Sequence, residues 1–418
     1  MGRHRNSECT SGGLYDGGVE AFLLRLARLL LGGGLSARDV ETEVIAAGKA
    51  LGYPDVQVAA LPTGVFVGLS PDAPVQFSAA KSYIRFDQLS EFLSITARLR
   101  AGDLPADQAC ELLESAAAKR APWSYGVANL GSILVGVGLV ALLCPTWPTV
   151  AAGLIGSALV AGLATIAGRV KAMAEFLPVI AGFLVSYPIL LAADAGWLDY
   201  PFRTIVAVLA ILFPGSVFVT GLADLVAGHS SAGTARLAAA LMQFTLFFVG
   251  IALAVMAAGH QLSELLDIAA PAWPLGIKLV GVILATIGIM VFCYCPLRHA
   301  ASIIALSGVA GALQVYLGGE VSPALGGLVA ALVASVGAQA LARVGPPWHV
   351  TYLPAFMIVA PGSFAFMTAS QVSGYSASPL VSAGSAFLGV AVGTLLGGAI
   401  KELEFSKTLA RGVRRRRA

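Results

Sequence analysis

Beyond Pro122 the chain carries one apolar stretch after another, each long enough to cross a hydrocarbon layer about 30 Å thick, with only brief polar interruptions. These stretches fall near 124–143, 149–167, 176–193, 203–222, 235–258, 274–293, 299–317, 323–342, 349–368 and 380–400. In lipid every backbone amide and carbonyl must find its partner within the protein, so segments of this kind fold as helices. The expected fold is therefore mainly α: a polytopic membrane protein with about ten transmembrane helices. Composition agrees, since 57% of residues are hydrophobic and only 12% are charged, about half the charged share of a soluble domain.

The charges that remain orient the chain. Residues 124–400 hold seven basic and seven acidic side chains, and the bases gather at alternate connections: Arg169 with Lys171, Arg236, Arg298 and Arg343, flanked by Lys119-Arg120 and Lys401. The opposite side holds Arg203 and Lys278. An even number of spans with both termini in the cytoplasm satisfies the positive-inside bias at nearly every connection. The run Arg414 to Arg417 reads as a tail (401–418) resting near anionic headgroups of the bilayer, and no nucleic-acid partner is expected. Asp194, Asp199, Glu264, Asp267 and Glu320 fall on the outer side, Glu175 and Asp224 near the inner one, and none at mid-span, where a coupling carboxylate is usually sought. Asp224 is carried as the candidate coupling residue.

Residues 1–122 form a small water-facing α+β domain. Ser36-Ala37-Arg38-Asp39 has the form of a capping box, and Val40, Val44, Ile45, Ala47 and Leu51 share one face of a helix ending at Gly52. Val56-Gln57-Val58 and Val65-Phe66-Val67 read as a hairpin around a Pro62-Thr63-Gly64 turn, followed by helices near 86–100 and 105–119. Arg3, Arg5, Glu8, Asp16 and Glu20 interrupt the N-terminus before an apolar run of signal-peptide length develops, so no cleaved leader is expected.

Pro-Gly-Ser occurs twice inside apolar spans, as Pro214-Gly215-Ser216 in the fourth and Pro361-Gly362-Ser363 in the ninth. Five helices separate the two, so these spans would run in opposite directions, as in two inverted five-helix repeats at 123–260 and 261–400. Proline removes a backbone donor and glycine loosens the helix, freeing carbonyls and amides that a polar solute can satisfy. The same residues serve equally as simple kinks in packed membrane helices. Gln243, Gln314 and Gln339, also within spans, can bind solute or bond neighbouring helices. The candidate substrate-binding set is therefore Pro214, Gly215, Ser216, Pro361, Gly362, Ser363, Gln243 and Gln339.

Catalytic and metal chemistry find little support. Gly228-His229-Ser230-Ser231-Ala232-Gly233 departs from a nucleophile elbow because its second glycine comes one residue late and it lies between membrane helices. Cys9, Cys110, Cys144, Cys293 and Cys295 lack metal-ligand spacing and read as structural thiols. His260 and His299 are interfacial, and His349, at the start of a span, can titrate near neutral pH without an evident partner. No catalytic residue, metal or cofactor is expected, and an intramembrane enzyme, a channel or a scaffold are the weaker alternatives.

Taken together, Val40-Glu41-Thr42-Glu43 through Leu51-Gly52, Leu99-Arg100-Ala101-Gly102-Asp103 through Leu113, and Phe213-Pro214-Gly215-Ser216 continuing to Asp224, Gly228, Gly233 and Arg236 resemble the bacterial threonine/serine exporter family. Leu353-Pro354 through Ala360-Pro361-Gly362 extends the resemblance into the second half. The resemblance implies a cytosolic N-terminal domain joined to ten membrane helices in two five-helix halves. It also implies proton-driven, secondary-active export of threonine and serine across the bacterial inner membrane. Export of a small dicarboxylate such as succinate is the alternative that the family leaves open. An acidic residue often stands in the family where His229 stands here, and a homodimer is a further expected assembly.

Overall fold

The computed structural model describes residues 16–80, 83–261, 273–369 and 385–400. Expectations placed on Cys9, Glu264, Asp267, Lys401 and the Arg414 to Arg417 tail lie outside the described residues, as do the side chains of Pro361, Gly362 and Ser363. Contacts divide the chain into two compact units, one of residues 1–122 with Thr220–Leu237 and one of Trp123–Val219 with Ala238 onward.

In the first unit, α1 (Asp16–Gly32) buries Val19, Phe22, Leu23, Leu26, Leu29 and Leu30, a spacing of three and four residues that keeps one face in the core. Helix α2 (Ala37–Ala50) starts at Ser36, whose hydroxyl accepts the Asp39 N–H at 3.0 Å, and stops ahead of Gly52 at φ +94°. Strands β1 (Gln57–Leu61) and β2 (Gly64–Gly68) pair antiparallel with Leu61 opposite Gly64, so the chain reverses across Pro62 and Thr63. A third strand, β3 (Gln76–Ala79), pairs antiparallel with β2 and places Phe77 beside Phe66. Helices α3 (Phe86–Ala101) and α4 (Ala106–Ala118) meet at Gly102, whose φ of +80° suits a left-handed cap. Val40, Val44, Leu89, Phe92 and Leu113 close the core, each worth about 1.5–3 kcal/mol when fully buried. Sequence reading missed α1 and β3, although the apolar spacing of α1 is a sufficient helix signal. It also took all five cysteines as thiols, whereas Cys110 is disulfide-bonded; a cysteine's partner is set by the fold and leaves no mark on spacing.

The second unit holds α5 (Tyr125–Leu143), α6 (Trp147–Ala167), α7 (Lys171–Asp194), α8 (Pro201–Leu209) and a single 3-10 turn at Ala210–Leu212. After the break come α9 (Gly215–Val226) and α10 (Ser230–Ala257), which pass through the first unit between residues 220 and 237. Then follow α11 (Leu275–Phe292), α12 (Ala300–Glu320), α13 (Pro323–Ala342), α14 (Trp348–Ala369) and α15 (Ser385–Ile400). Among the described residues seven of these helices are long and apolar enough to cross a membrane, and the bent pair α8–α9 makes an eighth if counted as one span. The chain is therefore a mostly helical, multi-pass membrane protein. The remaining apolar stretches, Trp348–Ala360 and Ser385–Ile400, are shorter.

Helices α5 and α11 approach more closely than side chains would allow. A Cβ on Gly131 would lie 2.7 Å from the Phe292 amide nitrogen and 2.8 Å from the Gly288 carbonyl, and one on Gly281 would lie 2.6 Å from the Gly138 carbonyl. Gly131 thus faces Gly288 while Gly138 faces Gly281, which makes the pair antiparallel. Without hydrophobic drive between helices in lipid, close backbone packing through such small residues supplies the attraction.

Candidate functional site

The site begins where the fourth apolar span comes apart. Pro214 has no amide proton to continue the helical ladder, and the chain turns by 62° between the segment Pro201–Leu212 and α9. Several groups at the break still find partners. The Phe213 N–H reaches back to the Ala210 carbonyl at 3.1 Å, and the Pro214 carbonyl accepts the Phe218 N–H at 3.0 Å, opening α9. The Leu212 carbonyl is met by the side-chain amide of Gln243, which donates from α10 at 3.3 Å.

A small cavity of about 40 Å³, open on one side, lies against this break. Ala210, Ile211, Phe213, Gly215 and Ser216 line one side, Phe356, Met357 and Ala360 of α14 another, and Val135, Leu139, Ile289 and Phe387 the rest. Gly215 packs directly on α14, since a Cβ built on it would lie 3.4 Å from the Ala360 Cβ. Ala360 is the residue before Pro361, so the contact joins the first Pro-Gly-Ser motif to the residue that precedes the second, 145 positions from Gly215. The walls are largely aromatic: Phe213 meets Phe247 edge-on with centroids 5.2 Å apart, and Phe387 meets Phe218 at 5.5 Å.

Of the residues expected to bind solute, Gly215 and Ser216 line the cavity, and Pro214 makes the break beside it. Gln243 serves the broken backbone. Gln339 donates to the Gly397 carbonyl at 2.9 Å, joining α13 to α15, and is not among the described lining residues. Gln314, likewise, donates to the Val359 carbonyl at 2.8 Å and ties α12 to α14 one residue before Ala360. The second motif departs from expectation, because the helical backbone of α14 runs on through Pro361, Gly362 and Ser363. Proline's ring excludes one amide bond but neighbouring helices can re-satisfy the freed carbonyl, so a span carrying it need not break. Sequence reasoning missed Phe356, Met357, Phe387 and Ile289; Phe213, next to the motif, was within reach of it, whereas the others carry no local signal.

Asp224 stands at the far end of α9, within the first unit, and is fully buried. Its carboxylate accepts the Ala37 N–H at 3.0 Å and lies 3.1 Å from the Arg236 guanidinium. Arg236 in turn donates to the Leu35 carbonyl at 3.0 Å. His229 Nε2 lies 2.7 Å from Glu41 Oε2, while Glu41 Oε1 accepts the Ala60 N–H at 2.9 Å.

Repeated apolar spans, one of them broken against a cavity, define a membrane protein of the transporter type. Residues 21–258, more than half of the chain, match the family described as "Putative threonine/serine exporter" (ThrE), and the chain belongs to this family. It is 25% identical over 382 residues to a "Probable threonine/serine exporter" of Mycobacterium tuberculosis, covering 85% of this chain and 71% of the relative. It is 26% identical over 265 residues to the "Threonine/serine exporter" of Corynebacterium glutamicum, covering 61% of this chain and about half of the relative, 53%. No solved structure matches the chain.

Proposed function

We propose that the protein exports small hydroxylated amino acids, threonine and serine, across the bacterial cytoplasmic membrane by a secondary-active, proton-driven cycle. On this reading the cavity at the α8–α9 break holds the substrate, both termini and the α+β unit face the cytoplasm, and ten spans form two inverted halves. The observation that carries it is the seating of Gly215 on Ala360 at the wall of one cavity beside the break at Pro214.

The chemistry fits a small zwitterion. Amide groups at the start of α9 suit a carboxylate, since the N-terminus of a helix carries partial positive charge. Carbonyls at the end of α8 suit an ammonium group, and Ser216 is among the lining residues, a candidate to pair with a hydroxyl. Phe213, Phe356 and Phe387 offer faces to the substrate's methyl group or its ammonium. No lysine or arginine is among the described lining residues, so a dicarboxylate would bring two negative charges to the single helix N-terminus that suits one. This favours the amino acids over succinate.

The inverted-repeat reading draws support from glycine seams. Gly131 and Gly138 in α5 have the same spacing as Gly281 and Gly288 in α11, which lie 150 positions later, and the two helices run antiparallel. Gly182 of α7 packs on Gly250 of α10, and Gly327 of α13 packs on Ala386 and Val390 of α15, so the third and fifth helices of each half meet in the same way.

The test is counterflow in proteoliposomes loaded with unlabelled threonine, serine, succinate or leucine, with trace labelled threonine outside. Accumulation with internal threonine or serine alone is expected. Accumulation with succinate moves the protein to dicarboxylates, and none with any load removes the carrier reading.

A further inference from the structure

The cavity at the α8–α9 break lies wholly within the second unit, and it is small. Its volume of about 40 Å³ is room for roughly three water molecules at about 10–15 Å³ for each. A free amino acid is larger than that, so a wall has to yield before a substrate can sit there. Several walls are held. Gly215 is already in contact with the Ala360 Cβ, backbone against backbone with little to give. Phe356 is 2% exposed and packs on Tyr352 with centroids 5.6 Å apart, while the Tyr352 hydroxyl donates to Thr394 at 3.1 Å. Phe213 is met by Phe247 at 5.2 Å and by Phe244 at 5.9 Å. Phe387 differs, because it is partly exposed and reaches the cavity from α15. The backbone around it is seated on α13: a Cβ on Gly327 would lie 2.8 Å from the Ala386 carbonyl and 3.3 Å from the Val390 amide nitrogen. What can move here is therefore the ring, by turning between staggered positions, and not the helix. Its edge-on contacts with Phe218 at 5.5 Å and Phe244 at 6.0 Å are favoured but modest ones, which a turned ring exchanges for contact with the solute.

We propose that Phe387 is the specificity-determining wall of the cavity: its ring turns aside to admit the substrate, and its bulk sets the largest side chain the cavity takes. The proposal rests on the reading of that cavity as the substrate site. Apart from Ser216 the lining side chains are apolar, among them Val135, Leu139, Ile289 and Met357. By burial alone such walls would hold the larger hydrocarbon of leucine better than the single methyl of threonine. Exclusion of leucine therefore has to come from size, and a rigid ring at the wall supplies it, since one surplus methylene in a closed pocket is enough to change selection.

The full chain carrying Phe387→Ala, Phe387→Leu or Phe387→Trp tests this in proteoliposomes, where counterflow is read as the ratio of labelled leucine to labelled threonine accumulated against the matching internal amino acid. Phe387→Ala should raise that ratio at least about tenfold over the parent. Phe387→Leu serves if the alanine variant does not fold, and should raise it by about threefold. Phe387→Trp should move selection the other way and lower threonine against serine by about threefold. Equilibrium dialysis of the purified proteins with labelled leucine reads the same wall without transport: binding should appear in Phe387→Ala at concentrations where the parent binds none. An unchanged leucine-to-threonine ratio in well-folded Phe387→Ala, or an equal loss of leucine, threonine and serine in every variant, overturns the proposal and leaves Phe387 a packing residue. A parent that binds threonine without counterflow overturns the carrier reading alone, and the wall stands if Phe387→Ala gains leucine binding. No binding of any of these amino acids to parent or variants overturns both.

Discussion

Gly215 of α9 and Ala360 of α14 touch across the cavity wall at the spacing of ordinary van der Waals contact, 3.4 Å for a Cβ placed on the glycine. The position therefore has room for one methyl group and no more. Gly215→Ala should keep threonine counterflow within about twofold of the parent, while Gly215→Leu should fill the cavity and abolish it. Equal activity in both variants would place the substrate elsewhere.

The amide of Gln243 is the partner of the Leu212 carbonyl exposed by the break. Gln243→Leu leaves that carbonyl unpaired in an apolar surrounding, which costs about 1–3 kcal/mol. Thermal unfolding of the purified protein should shift down accordingly, and counterflow should slow because the bend at Pro214 is no longer held. An unshifted unfolding temperature would mean that water or another donor reaches Leu212.

Gln339 tests the opposite expectation. Its amide bridges α13 and α15 through the Gly397 carbonyl, and it is not among the described residues that line the cavity. Gln339→Ala should leave the half-saturating threonine concentration and the preference for threonine over leucine unchanged, with a stability loss of about 1 kcal/mol. A changed preference would return this glutamine to the binding set.

The α5–α11 seam predicts a stability effect without a specificity effect. A side chain on Gly281 meets the backbone of Gly138 and Leu142, which cannot move aside as a side-chain tip can. Gly281→Val should cost at least about 1–3 kcal/mol by overpacking, read as lower yield of monodisperse protein and a lower unfolding temperature. Normal yield and stability would contradict the close approach of these helices.

In the first unit, Ser36→Ala removes the hydroxyl that caps Asp39. A loss of about 0.5–2 kcal/mol is expected, seen as faster amide exchange in the first turn of α2. Protection unchanged from the parent would show that the Asp224 carboxylate at Ala37 caps this helix by itself.

Much of this protein was written in its local patterns. Runs of apolar residues about twenty long leave the backbone no choice but helices in lipid, Pro214 takes one donor out of the ladder of its span, and Ser36 and Gly52 bound α2 by their own chemistry. The spacing of Gly131 with Gly138 and of Gly281 with Gly288 also stands in the sequence, but its meaning does not: only packing shows that the two pairs face each other in reverse order. The same limit separates Pro214 from Pro361, since the span breaks at the first motif while the helical backbone runs on through the second. Asp224 shows the limit most sharply. As a lone carboxylate near a membrane boundary it invites a proton-coupling role, and the partners that the fold gives it, the Ala37 amide and Arg236, include one 187 positions distant. Periodicity and propensity act over a few residues and can be read from the chain. Which buried polar groups satisfy one another, and which side chains wall a cavity, depends on distances between segments that only the folded packing sets.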